Sequence, residues 1–231
     1  MKLSKPFNKY FDHTLLKPEA SLLQINSLLE EAVRGDFASV CVNGCHVKTA
    51  SEYLKKSGCD VKVATVIGFP LGASATEAKA SEAATALRDG AHEVDMVLNI
   101  GALKEGRLPY VTNEIKEIKK IHPFVKVIIE TCLLTDHEIV SACHAVMDGG
   151  ADFIKTSTGF SSDGAKVEHI KLMRDAIADY SAMSGIPPIK IKASGGIRTI
   201  DDALAMIKAG ADRLGCSASV EILKQYRAKH L

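Results

Sequence analysis

Short apolar segments rich in β-branched residues alternate along the chain with longer amphipathic segments. The apolar segments predict eight strands, at YFDHTLL (10–16), FASVCVN (37–43), VKVATVIGF (61–69), HEVDMVLN (92–99), VKVIIE (125–130), ADFIKTST (151–158), PPIKIKAS (187–194) and DRLGCSA (212–218). The segments between them, such as SLLQINSLLEEAVR, repeat apolar residues at helical spacing. The pattern therefore predicts eight strand–helix units.

Three predicted helix ends carry a glycine at the same place before the following strand. In DGAHEVDM, GGADFIKT and AGADRLGC, the residues Gly90, Gly150 and Gly210 follow one another at intervals of 60 residues. Glycine here is typical of a helix C-cap, and 60 residues correspond to two strand–helix units. We therefore predict an α/β fold, a (β/α)8 TIM barrel of eight parallel strands, rather than an open sheet. No linker-like segment interrupts the alternation, so residues 1–231 are expected to form one domain.

The charge and hydropathy of the chain argue against nucleic-acid and membrane partners. The chain of 231 residues has a formal net charge of +1, so no broad electrostatic field favours nucleic acid or an anionic membrane. No apolar run reaches the roughly 18 residues of a membrane span, and the N-terminal segment lacks the apolar core of a signal peptide. We expect a cytoplasmic protein. Barrels of this size often form dimers, so a homodimer or higher homo-oligomer is expected.

Three charged residues interrupt the predicted strands. Lys155, Lys192 and Asp95 each lie inside an otherwise apolar predicted strand, although lysine and aspartate are seldom buried unless paired. Ion pairs inside the barrel would explain any one of them. Together they fit a Schiff-base lysine, because a second ammonium about 6 Å away destabilises the charged form by roughly 3 kcal/mol at an effective dielectric near 20. Burial acts in the same direction, and Asp95 would balance the charge and move protons through a water.

A second set of residues predicts the capture of a phosphate group. Gly195 and Gly196 follow the seventh predicted strand and precede Thr199, a predicted helix N-cap. Ser217 follows the eighth strand, where another helix begins. The loops after strands seven and eight hold phosphate in many barrels. A Gly-Gly pair alone is more typical of a turn, so the prediction depends on its combination with Ser217.

Seven motifs occur in order along the chain: FDHTLLKP, TVIGFPLG, EVDMVLNIGALK, VIIET, FIKTSTG, KASGGIRT and RLGCSA. By these motifs the chain resembles the deoxyribose-phosphate aldolases, a family of class I aldolases. The resemblance implies a TIM barrel that cleaves 2-deoxy-D-ribose 5-phosphate reversibly to D-glyceraldehyde 3-phosphate and acetaldehyde, with no metal or organic cofactor. It implies Lys155 as the Schiff-base nucleophile, Lys192 as the neighbouring ammonium and Asp95 as the proton-transfer carboxylate. The implied substrate-binding residues are Asp12, Thr14, Thr158, Gly159, Gly195, Gly196 and Ser217.

Some positions leave alternatives open or depart from the relatives. Asp12 and Thr14 fit hydrogen-bonded support of the loops equally well. Phe160 and Ala218 stand where some relatives have a lysine and a serine, so modest phosphate affinity is expected. Lys190 stands where relatives often have a small residue. It is expected to cap the barrel floor with Glu93, the alternative being that it lowers a lysine pKa.

Other functions compatible with this fold are a different phosphate-binding barrel enzyme and a catalytically silent sugar-phosphate sensor. Two strand lysines argue against a sugar-phosphate isomerase, which needs a well-placed carboxylate base. A metal-dependent aldolase needs clustered ligands, whereas the eight histidines are scattered and the pair Cys41 and Cys45 has no second pair at ligand spacing. The presence of both Lys155 and Asp95 argues against a silent sensor.

Overall fold

A computed structural model describes residues 3–230, within which eight parallel strands close into a barrel in sequence order. The strands are β1 Phe11–Leu15, β2 Ser39–Val42, β3 Lys62–Ile67, β4 Glu93–Val97, β5 Val125–Ile128, β6 Phe153–Lys155, β7 Lys190–Ser194 and β8 Arg213–Cys216. The helices are α1 Leu22–Gly35, α2 Val47–Ser57, α3 Thr76–Arg88, α4 Ile100–Lys104, α5 Leu108–Ile121, α6 Asp136–Asp148, α7 Val167–Ser184, α8 Ile200–Ala209 and α9 Ser219–His230. The predicted (β/α)8 TIM barrel and the location of all eight strands are confirmed.

Local sequence explains where the helices begin and end. Helix α1 begins after Ser21, whose side chain accepts from the backbone N–H of Gln24 in a capping box. The predicted N-cap Thr199 makes the same arrangement at the start of α8. At the helix ends, Gly90, Gly150 and Gly210 have φ angles of 98°, 75° and 117°. These are left-handed conformations that glycine adopts without strain, so the glycine prediction is confirmed.

The apolar core lies between the barrel and its outer helices. Strands β2, β4 and β5 are buried along their whole length, as expected for parallel strands covered on both faces. Residues 3–230 contain no helix that is long and apolar enough to cross a membrane.

The inside of the barrel departs from an apolar filling. The strand register places Asp95 beside Lys126, and Lys155 beside Lys192. Lys192 is in turn level with Arg213 of β8. Because branched apolar side chains usually fill such a barrel, a charged layer at this height marks the place where function is expected.

Candidate active site

Asp95 is the centre of the charged layer. Its carboxylate is fully buried; Oδ2 accepts from Lys155 Nζ at 2.8 Å and from Lys192 Nζ at 2.7 Å, while Oδ1 accepts from Lys126 Nζ at 2.7 Å. Burial alone would raise the pKa of Asp95, but the three ammonium groups hold it well below its usual range. Asp95 is therefore ionised in the resting site and joins three lysines.

Lys155 has a lowered pKa. Burial is the largest cause, and the ammonium of Lys192 adds to it, while the carboxylate of Asp95 acts in the opposite direction. Lys155 also contributes to the wall of an open pocket, unlike Asp95 and Lys192, which lie beneath it. It is thus a lysine that deprotonates readily and can be reached by a ligand.

Lys192 behaves in the opposite way. Burial would lower its pKa, but Asp12 and Asp95 raise the pKa of Lys192 far above its ordinary value. The ion pair between Lys192 Nζ and Asp12 Oδ2 measures 2.5 Å, and Arg213 Nη1 donates to Asp12 Oδ1 at 2.6 Å. A side chain at Gly215 would approach Lys192 Cε to 2.9 Å, so the glycine makes room for this lysine. The pKa values of two lysines on adjacent strands therefore shift in opposite directions, because Lys192 has two carboxylate partners and Lys155 has one.

Two residues of this network were missed by sequence reasoning. They are Lys126, which pairs with Asp95 and with Glu93 Oε2 at 2.6 Å, and Arg213, which pairs with the predicted residue Asp12. Lys126 lies in the predicted strand VKVIIE with apolar neighbours on both sides, the same signal that singled out Lys155. Asp12 is fully buried and does not contribute to the pocket wall. Of the two interpretations of Asp12, the structure favours internal support, here through Lys192.

The pocket above Lys155 has a volume of about 410 Å³ and lies at the carboxyl ends of the strands. The predicted residues that line it are Thr14, Lys155, Thr158, Gly159, Gly195, Gly196 and Ser217. Two cationic residues that sequence reasoning did not single out, Lys17 and Arg198, also line it, as does Phe160. The pocket thus combines the Lys155 amine with glycine backbone, several hydroxyl groups and two cations, a set suited to a phosphorylated carbonyl compound.

The glycines of the pocket allow two loops to pack closely. Gly195 and Gly196 have φ angles of 84° and 78°, and Gly159 has 83°. A Cβ at Gly164 would collide with the backbone of Gly195, while the N–H of Ala165 donates to the Gly195 carbonyl at 3.1 Å. The loops after β6 and β7 therefore form one surface, with backbone groups accessible to a ligand.

Glu130 holds the loop after β6 in place. It is buried, with a positive φ of 55° that is uncommon for glutamate. Its carboxylate accepts from Thr158 Oγ1 at 2.5 Å and from the Thr158 N–H at 3.2 Å. Thr158 Oγ1 in turn accepts from the N–H of Phe160 at 3.1 Å. Glu130 therefore fixes the segment that contains Gly159, a role that the motif VIIET alone did not reveal.

Lys190 lies at the barrel floor, as expected, but its predicted partner is wrong. Glu93 instead pairs with Lys126 and with Arg213, while the Lys190 ammonium lies 5.8 Å from the centre of the Phe153 ring. In the part of the chain that the structure describes, no group of three or more His, Cys, Asp or Glu side chains has a geometry suited to a metal ion.

Comparison with known proteins gives consistent results. The family model described as DeoC/LacD family aldolase matches residues 7–224. The chain is 55% identical to the deoxyribose-phosphate aldolase of Streptococcus gordonii, over 94% of this chain and 95% of that protein. The solved structure described as "QR15, an Aldolase" is 41% identical, covers 97% of both chains and superposes with a TM-score of 0.89. The tetrameric deoxyribose phosphate aldolase of Aeropyrum pernix is 31% identical over 96% of this chain and 92% of that chain, with a TM-score of 0.85.

Proposed function

Because the chain belongs to the DeoC/LacD family of aldolases, we propose that it is a deoxyribose-phosphate aldolase acting through a Schiff base on Lys155. It cleaves 2-deoxy-D-ribose 5-phosphate reversibly to D-glyceraldehyde 3-phosphate and acetaldehyde. The observation that carries the proposal is the Lys155 amine, with its lowered pKa, at the base of a pocket lined by glycines and two cations. This arrangement matches a substrate with an aldehyde at one end and a phosphate at the other.

The reaction begins on the neutral amine of Lys155. Nζ attacks C1 of the open-chain sugar, and loss of water gives a protonated imine. The imine then accepts the electrons of the C2–C3 bond as that bond breaks and the 3-hydroxyl loses its proton. Glyceraldehyde 3-phosphate leaves, and the remaining enamine takes up a proton at C2 and is hydrolysed to acetaldehyde and free Lys155.

Asp95 and Lys192 support this chemistry from beneath. Lys192 remains an ammonium and favours the neutral form of Lys155. Asp95 is too weak a base to hold a proton for long, so it relays the 3-hydroxyl proton through a water and keeps the two lysines together. Asp12 acts on substrate indirectly, by holding Lys192, and Thr14 contributes to the pocket wall directly.

The phosphate binds at the opposite side of the pocket. Backbone N–H groups around Gly159, Gly195 and Gly196 and the hydroxyl of Ser217 surround it, with Thr158 beneath. Arg198 adds a charged donor that compensates for the absence of a lysine at Phe160. Binding energy from this remote group orients the reacting carbons over Lys155.

The proposal extends to the biological setting. An enzyme with this activity serves deoxyribonucleoside catabolism in the cytoplasm and needs no metal or organic cofactor. The described tetrameric relative supports a homo-oligomer, and we retain a homodimer or higher assembly. Residues 1–231 act as one barrel domain.

Borohydride trapping tests the proposal. EDTA-treated protein is incubated with deoxyribose 5-phosphate or acetaldehyde and reduced, and the adduct is located by peptide mass spectrometry. We expect a stable adduct on Lys155 in the wild type and in Lys48→Ala, an exposed control lysine, and no adduct in Lys155→Ala. An adduct on Lys192 would reverse the roles of the two lysines. Absence of any adduct, with activity abolished by EDTA, would refute the Schiff-base mechanism.

A further inference from the structure

A second cleft lies at the barrel floor, where the amino ends of the strands meet. Its volume is about 560 Å³, and it shares no wall residue with the pocket above Lys155. We call it the floor cleft; its wall includes Lys5, Tyr10, Phe153, Arg174, Lys190 and Arg213. Aromatic rings and cations thus face one solvent-accessible space that the proposed aldol reaction does not use.

The floor cleft carries more positive than negative charge. Four cations line it against two carboxylates, Glu93 and Asp212. Both carboxylates are already engaged: Glu93 pairs with Lys126 and Arg213. Asp212 Oδ2 accepts from Arg174 Nη2 at 2.7 Å and from a backbone N–H of β7 at 2.9 Å. The cationic excess is therefore not cancelled inside the cleft.

Two ammonium groups form the uncompensated part. Among residues 3–230, Lys190 Nζ makes no ion pair or hydrogen bond and lies only over the Phe153 ring. Lys5 Nζ donates to the backbone carbonyl of Asp212 at 2.7 Å and lies 4.3 Å from the Tyr10 ring centre. Burial and the nearby Arg213 lower the pKa of Lys5 to about 8. A negative charge placed between these groups would relieve their repulsion.

Arg213 contributes a further positive charge to the wall of the floor cleft. Its two terminal nitrogens bond Asp12 and Glu93, but Nε is buried and has no hydrogen-bond partner among the described residues. Buried donors are normally satisfied. An oxyanion with several acceptor oxygens suits ammonium and guanidinium donors of this kind.

We propose that the floor cleft binds a small oxyanion of charge −2, held by Lys5 and Lys190 beside the guanidinium of Arg213. Phosphate esters and dicarboxylates share this chemistry. The site is independent of the proposed aldolase activity, and its loss leaves the pocket above Lys155 intact.

Isothermal titration at low ionic strength with inorganic phosphate, and separately with malonate, tests the proposal. The variant Lys5→Gln/Lys190→Gln removes both ammonium groups, and Lys48→Gln/Lys56→Gln removes two exposed lysines of α2 as a matched control. A third variant, Lys17→Gln/Arg198→Gln, identifies phosphate bound in the upper pocket. We expect two phosphate sites in the wild type and in the α2 control, one in the floor cleft and one in the upper pocket. Phosphate affinity of the floor-cleft site should fall at least tenfold in the Lys5/Lys190 variant and in neither of the other two variants.

The malonate arm separates the two sources of the oxyanion. Malonate binding that depends on Lys5 and Lys190 assigns the cleft to oxyanions in general, and dependence seen with phosphate alone assigns it to phosphate groups. Thermal unfolding and borohydride trapping confirm that each variant is folded. The proposal is overturned if the folded Lys5/Lys190 variant binds both probes with the same stoichiometry and affinity as the α2 control.

Discussion

Replacement of Lys192 by methionine tests how Lys155 is kept reactive. Both ammonium groups donate to the same oxygen of Asp95, at 2.7 Å and 2.8 Å. Their nitrogens are therefore at most about 5.5 Å apart, and at an effective dielectric near 20 they repel each other by at least about 3 kcal/mol. Below the pKa of Lys155, this energy corresponds to roughly a 100-fold change in the fraction of neutral amine. We expect kcat/KM at neutral pH to fall by about that factor in Lys192→Met.

The sign follows from the charges that remain. In the proposed mechanism Lys155 attacks only as a free amine, so activity is expected to rise with pH through the pKa of Lys155. In the wild type, burial and Lys192 lower the pKa of Lys155. Without Lys192, only burial opposes the carboxylate of Asp95, so the pKa of Lys155 rises. In a plot of kcat/KM against pH, the rise on the acidic side (the acid limb) should therefore move to higher pH. Activity should be partly recovered in alkaline solution.

The assay is kcat/KM between pH 6 and 10, with the rate of borohydride trapping by acetaldehyde over the same range. Lys126→Met is the matched control, because it removes another buried ammonium group that donates to Asp95 and that lies outside the pocket wall. It should lower the melting temperature with little movement of the acid limb. If Lys192→Met keeps the wild-type limb, or if Lys126→Met moves it equally, the electrostatic role assigned to Lys192 is wrong.

Three further predictions concern Arg198 and Glu130 at the site and a buried ion pair outside the pocket wall. Arg198→Gln should raise KM for deoxyribose 5-phosphate about tenfold in steady-state kinetics, because one charge-assisted hydrogen bond is lost. The value of kcat/KM for unphosphorylated deoxyribose should not change. An equal effect on both substrates would contradict a phosphate-binding role for Arg198. Glu130→Gln should weaken the hydrogen bonds to Thr158 and raise KM severalfold. Amide hydrogen exchange in the loop after β6 should become faster, as measured by mass spectrometry. Unaltered exchange would argue against the positioning role of Glu130. Lys79→Met breaks a fully buried 2.7 Å ion pair with Glu114 and should cost about 3–5 kcal/mol in unfolding by urea. The double variant with Glu114→Leu should recover most of this loss, and no recovery would show that the hydrogen bonds from Lys79 to the backbone dominate.

The sequence alone determined the barrel and singled out Lys155 as the candidate nucleophile. The strands are apolar on both faces, and helix-capping glycines recur at equal intervals, features that together favour a parallel closed sheet over an open one. A charged residue is costly in such a strand, so Lys155, Lys192 and Asp95 were visible as exceptions before any contact was known. The glycines after β6 and β7 could likewise be predicted to form turns from the sequence, because few other residues adopt their backbone angles.

Only the tertiary structure decided which charges meet and what protonation each one favours. Lys126 and Lys155 look alike in sequence, yet strand register gives Lys126 two carboxylate partners and leaves Lys155 at the pocket wall. Partners such as Asp12 and Arg213 are about 200 residues apart in the chain and become neighbours only when β1 pairs with β8. The pKa of a buried group depends on its distances from other charged groups. The local sequence does not determine these distances when the groups lie on different strands of a closed barrel.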